Sequence, residues 1–64
     1  MKKTYSLVGI DGNAYSIMSY VSKAMKETSH TKEEVDAYLN DAMSSDYSHL
    51  LSVSSNMIDK INEL

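Results

Sequence analysis

The sequence predicts a mainly helical α+β domain, one short N-terminal strand followed by three short helices. Three observations lead there. Apolar residues recur at helical spacing over most of the chain after Asn13. Proline is absent, and both glycines, Gly9 and Gly12, fall in the opening stretch, so few breakers interrupt the rest. Before the first helical stripe comes a short apolar run, Leu7-Val8-Gly9-Ile10, closed by a turn.

Residues 4–10 read as the strand. Tyr5, Leu7 and Gly9 alternate with Ser6, Val8 and Ile10, and the Leu7–Ile10 run is apolar on both sides. No second strand follows. A lone strand leaves backbone donors and acceptors unpaired. The expected partner is therefore the same strand of a second copy, paired across a two-fold axis with Tyr5, Leu7, Val8, Gly9 and Ile10 at the seam; packing as extended coil on the helices is the alternative.

Asp11-Gly12-Asn13 reads as a turn in which Gly12 supplies positive φ and Asn13 caps the first helix. Helix 1 spans about 14–27, with Ala14, Ile17, Met18, Val21, Ala24 and Met25 as its apolar stripe and Tyr15 and Tyr20 on the shoulders. Thr28-Ser29-His30 breaks it. Thr31 and Glu34 form the two ends of a capping box that opens helix 2, about 32–43, whose stripe is Val35, Tyr38, Leu39 and Ala42 with Met43 beside it. After a second break, Ser45 or Asp46 caps helix 3, about 47–62. Its face is Tyr47, Leu50, Leu51, Met57, Ile58 and Ile61, with Ser54 set within the stripe. The whole of 1–64 reads as a single small domain.

Composition narrows function. A 64-residue chain buries only about 60% of its unfolded surface, so a partner chain is a natural source of extra stability. With no cysteine, disulfides and thiolate metal sites are excluded. Six lysines, no arginine and a net charge of −3 argue against nucleic acid. Helices 2 and 3 have tolerable helix-turn-helix spacing, yet the second would present Ser48, His49, Ser52 and Asn56 with Lys60 as its one cation. Met1-Lys2-Lys3 looks like the charged start of an export signal, but the apolar run behind it is too short, and no stretch could span a bilayer. The expectation is a soluble, cytoplasmic protein with no cofactor.

Chemical motifs are weak. An EF-hand loop starting at Asp11 would end on Ser22, and one with Gly12 as its invariant glycine would run from Leu7 to Met18; neither supplies the ligands. There is no phosphate loop, nucleophile elbow or Cys–His pair. Asp11, Asn13, His30, Asp46 and His49 form the polar set from which a ligand or catalytic site would be drawn, with His49 as its general base. Against that stand their ordinary roles as turn, cap and solvated residues.

Four blocks together carry a resemblance: Leu7-Val8-Gly9-Ile10-Asp11-Gly12-Asn13-Ala14, Ile17-Met18, Lys32-Glu33-Glu34-Val35-Asp36-Ala37-Tyr38-Leu39 and Asp46-Tyr47-Ser48-His49-Leu50-Leu51. Their order and spacing resemble a family of very short, uncharacterised bacterial and phage proteins over positions 7–51. Ser45 and Ser48 depart from the family's Gly and Asp, so that turn is expected to differ. The resemblance implies no activity. It implies a context in which short accessory proteins of phages and mobile elements bind host proteins, inhibitors of bacterial defence among them.

The sequence reading is therefore a non-enzymatic protein-interaction module, homodimeric and binding a second protein, with Tyr15, Tyr20, His49 and Ser52 as candidate contacts. Tyrosine suits such a surface because a rigid ring ends in a polar tip. The alternatives are a small-ligand or catalytic protein using the Asp11-Gly12-Asn13 turn and His49, and a non-catalytic regulatory subunit.

Overall fold

The computed structural model describes residues 4–63, which form three α-helices: α1 (Ala14–Glu27), α2 (Lys32–Ala42) and α3 (Tyr47–Glu63). Met1-Lys2-Lys3, read above as a charged start, lie outside the described residues. Short connections turn the chain back each time, so α1 and α3 run alongside each other with α2 antiparallel to both. Each helix packs against the other two.

Local chemistry sets each helix boundary. Asn13 accepts the Tyr15 amide at 2.8 Å and caps α1. The capping box of α2 is complete: Glu34 N donates to Thr31 Oγ1 at 3.1 Å, and Thr31 N donates to Glu34 Oε1 at 2.9 Å. These bonds, the one from the Thr31 backbone foremost, hold the Glu34 carboxyl below the ordinary carboxylate range. At α3 the cap is Asp46, whose Oδ1 accepts from His49 N at 3.0 Å. α1 ends where Ser29 takes φ 68°. That left-handed residue lets His30 N reach back to Met25 O at 3.0 Å, satisfying a carbonyl of the last turn.

The core joins Ile17, Met18, Val21, Ala24 and Met25 of α1 with Val35, Tyr38 and Ala42 of α2 and Leu50, Ile58 and Ile61 of α3. Ser54 is wholly buried among them, and its hydroxyl is 2.6 Å from that of Tyr38. A sequence reading gives Ser54 the role of a small residue permitting close approach. In the fold it also supplies the hydrogen-bond partner that a buried tyrosine needs.

No strand occurs among the described residues, which corrects the α+β reading. Leu7-Val8-Gly9-Ile10 is a turn. Ile10 N donates to Leu7 O at 3.2 Å, with Gly9 at φ 85°. Positive φ therefore belongs to Gly9 and not to Gly12. The strand on which the paired homodimer was expected is absent from the described residues, and most of the segment packs on the chain's own helices. Tyr5 is buried, Leu7 and Ile10 pack on the core, and Val8 points outward at the tip of the turn.

The unpaired backbone that motivated the dimer finds partners in side chains. Asn62 of α3 accepts from Tyr5 N and donates to Tyr5 O, both at 2.9 Å. This is the two-point exchange that a residue of a neighbouring antiparallel strand would offer. Ser6 N donates to the Tyr20 hydroxyl at 3.0 Å, and Val8 N to Ser6 Oγ at 3.1 Å. The Tyr5 hydroxyl donates to Glu27 at 2.9 Å, and the Tyr5 and Tyr20 rings meet edge to face with centroids 6.3 Å apart. Tyr5 thus ties the N-terminal segment to both α1 and α3.

Candidate apolar contact face

One end of the bundle brings together the start of α1, the end of α2 and the start of α3. Three large side chains there are not buried: Tyr15 is 78% exposed, Met43 56% and Tyr47 44%. Leu51, one turn beyond Tyr47, is partly exposed as well. Tyr15, Met43 and Tyr47 share the wall of a shallow groove of about 260 Å³ floored by Met18 and Leu50. Tyr15 and Met43 also edge a second groove, about 300 Å³, lined further by Met18, Ser19, Ser22 and Leu39. That second groove carries no charged side chain. The three stand side by side around one groove, unlike hydrophobic side chains scattered singly over a surface.

The face is braced from below. The Tyr47 hydroxyl donates to Gly12 O, tying the start of α3 to the loop before α1. Asp11 Oδ1 accepts from Asn13 N at 3.2 Å, which tightens that loop. Asp11, Gly12 and Asn13 therefore act as turn, brace and cap, and none of the three lines either groove.

The remaining sequence candidates separate. Tyr20 is a structural residue, its ring against Tyr5 and its hydroxyl on Ser6 N. Ser52 is exposed on α3. His49 lies at the side, its Nε2 3.1 Å from Asp41 Oδ1 and 3.4 Å from Ser44 Oγ. An aspartate, histidine and serine do meet here, but both partners address the same ring nitrogen. A nucleophilic relay needs them on opposite nitrogens, one oriented by the carboxylate and the other taking the serine proton. Ser44 moreover donates to Asp41 O at 2.6 Å. The cluster works as a connector from the end of α2 to the first turn of α3. His30 sits elsewhere, its Nδ1 3.1 Å from Met25 O at the end of α1. Among the described residues, no group of three or more His, Asp or Glu side chains could hold a metal ion.

Sequence reasoning placed Met43 beside a buried stripe and Tyr47 within one. Tyr47 does lie on the core side of α3 by angle, but at its first position, beyond the end of the packed core. Met43 caps α2 and so escapes it in the same way. Their position at helix termini was the available signal.

The fold and this end face define a three-helix bundle strapped by its own N-terminal segment, with an open apolar end. No protein-family model, curated protein or solved structure matches the chain. Among the described residues, no helix is long and apolar enough to cross a membrane.

Proposed function

We propose that the chain is a small, non-catalytic interaction module that acts in the cytoplasm by binding another protein through the face made by Tyr15, Met43 and Tyr47. The observation that carries this reading is the exposure of those three side chains side by side around an apolar groove. Aromatic rings and methionine are the residue types enriched at the cores of protein interfaces, and methionine adapts its shape to a partner. The resemblance to short phage and bacterial proteins supports a more particular form, an accessory protein of a phage or mobile element that inhibits a host protein such as a defence component. A regulatory subunit would use the same face in the same way.

The test is capture of the tagged chain's partner from a lysate of its natural host, with wild type and Tyr15→Ser compared in parallel. Wild type should retain one host protein stoichiometrically. Tyr15→Ser should retain about tenfold less or lower still, as expected for an aromatic anchor, with an unchanged circular dichroism spectrum. Equal retention by both would refute the assignment of this face, and no stoichiometric protein at any salt concentration would refute the binding function. Tyr20 is unsuitable for this comparison because it holds the N-terminal segment.

A further inference from the structure

Three helices in a bundle frame three grooves. That between α1 and α3 is crossed by the chain itself, with Tyr5 bonded to Asn62 on one side and to Glu27 on the other. The groove between α1 and α2 belongs to the apolar face. The third, between α2 and α3, is open and larger, about 400 Å³, and its chemistry differs. Buried Tyr38 and half-buried Val53 and Met57 lie deepest in it, and Glu34, Ala37 and Asp41 of α2 and Asn56 and Lys60 of α3 stand exposed around them.

We infer that this groove docks a basic amphipathic helix of a partner protein. Charge complementarity selects the occupant. α2 holds four carboxylates, Glu33, Glu34, Asp36 and Asp41, against Lys32 alone, and so accounts for the whole net charge of −3. The field beside the groove is therefore negative and steers cations toward it. Glu34 and Asp41 stand seven residues apart on α2, roughly 10.5 Å along its axis. A facing helix repeats its side chains at that interval, so lysines or arginines at i and i+7 meet both carboxylates, that of Asp41 shared with His49, while the apolar residues between them reach Val53 and Met57. Lys60, across the groove, favours an acidic or uncharged residue on the helix's other edge. A phosphate backbone would be repelled by the same carboxylates. A second copy is a poor fit, since its exposed lysines on α1, Lys23 and Lys26, belong to a helix whose apolar face is already buried in its own core.

The experiment is selection of a displayed library of helical peptides on the full chain, followed by fluorescence anisotropy with the most enriched peptide. Enrichment of Lys or Arg seven residues apart with apolar residues between is expected. The affinity of that peptide should fall as salt is raised. It should fall about threefold in each of Glu34→Gln and Asp41→Asn, the scale of a single exposed charge, and more than about tenfold in Ala37→Arg, which sets a bulky cation between the two carboxylates where the helix must sit. Glu34→Gln retains an acceptor for Thr31 N and so keeps the capping box. Val8→Ser, at the distant turn, should bind as wild type does. Neutral or acidic enrichment, no enrichment, or an affinity indifferent to Ala37→Arg would each overturn the inference.

Discussion

Removing the Ser54 hydroxyl tests the polar link inside the core. Ser54 is 0% exposed and Tyr38 3%, and their hydroxyls are 2.6 Å apart. In Ser54→Ala the Tyr38 hydroxyl stays buried without that partner, at a cost of about 1–3 kcal/mol. Alanine's better helix propensity offsets about 0.5 kcal/mol. The net loss is then about 0.5–2.5 kcal/mol. With unfolding entropy near 2.1 cal/mol/K per residue, this lowers the Tm of a chain this short by about 4–19 °C. Tyr38→Phe should cost less, about 1 kcal/mol, because a helical serine can turn its hydroxyl to the carbonyl one turn back. The double variant removes both polar groups together, so it should be more stable than the sum of the single losses by about 1 kcal/mol or more. The assay is urea and thermal unfolding followed by circular dichroism on all four proteins. Additive losses, or a Ser54→Ala protein as stable as wild type, would refute the reasoning.

The same pair has a pH consequence. Burial raises the Tyr38 pKa, with the Ser54 bond opposing the shift. The folded protein then keeps its phenolic proton at a pH where the unfolded chain loses it. The associated stability is fully present below the unfolded tyrosine pKa of about 10 and is lost as pH rises through the folded value. Tyr38→Phe should accordingly flatten the decline in stability at alkaline pH, and an unchanged decline would sink that account.

Four further substitutions test the turns and the N-terminal strap. Ser29→Gly should stabilise the protein by about 1 kcal/mol, because Ser29 holds φ 68° where glycine has no Cβ penalty; an unchanged unfolding midpoint in urea would count against it. Gly9→Ala should destabilise by about 1–2 kcal/mol through its φ of 85°, since nothing lies within 4 Å of an added Cβ. Gly12→Ala, which lacks positive φ and meets only the Tyr47 hydroxyl at 3.6 Å, should be tolerated, and thermal melts of the two variants would expose a reversed order. Asn62→Ala should free the segment around Tyr5. Hydrogen exchange should then lose protection at the Tyr5 amide while the core amides of α1 keep theirs; retained protection at Tyr5 would show that the Asn62 clamp does not hold the segment.

The mainly helical architecture was legible in the sequence because helical periodicity and capping are local. Ile17, Val21, Ala24 and Met25 recur at the spacing of one helix face, and Thr31 with Glu34 marks a helix start through bonds that span three residues. The N-terminal segment was not legible. Leu7-Val8-Gly9-Ile10 has the apolar content of a strand, and what makes it a turn is a bundle that satisfies its backbone from a distance. Asn62 lies 57 residues from Tyr5, and no local pattern announces that its carboxamide takes a neighbouring strand's place.

The contact face divides in the same manner. Tyr15 was visible as a shoulder residue, because its angle around α1 can be counted. Met43 and Tyr47 were not, because exposure at a helix end depends on where the packed core stops, which three helices fix jointly. Tyr15 and Tyr20 looked alike in sequence, yet one stands free at the end of the bundle and the other is occupied by Tyr5 and Ser6. Local periodicity and capping were enough for the three helices, the caps of α1 and α2, and most of each buried stripe, Tyr47 and Leu51 of α3 excepted. The tertiary structure decided which tyrosines face outward and turned the expected strand into a strap. Those outcomes depend on contacts between residues far apart in the chain, which periodicity cannot report.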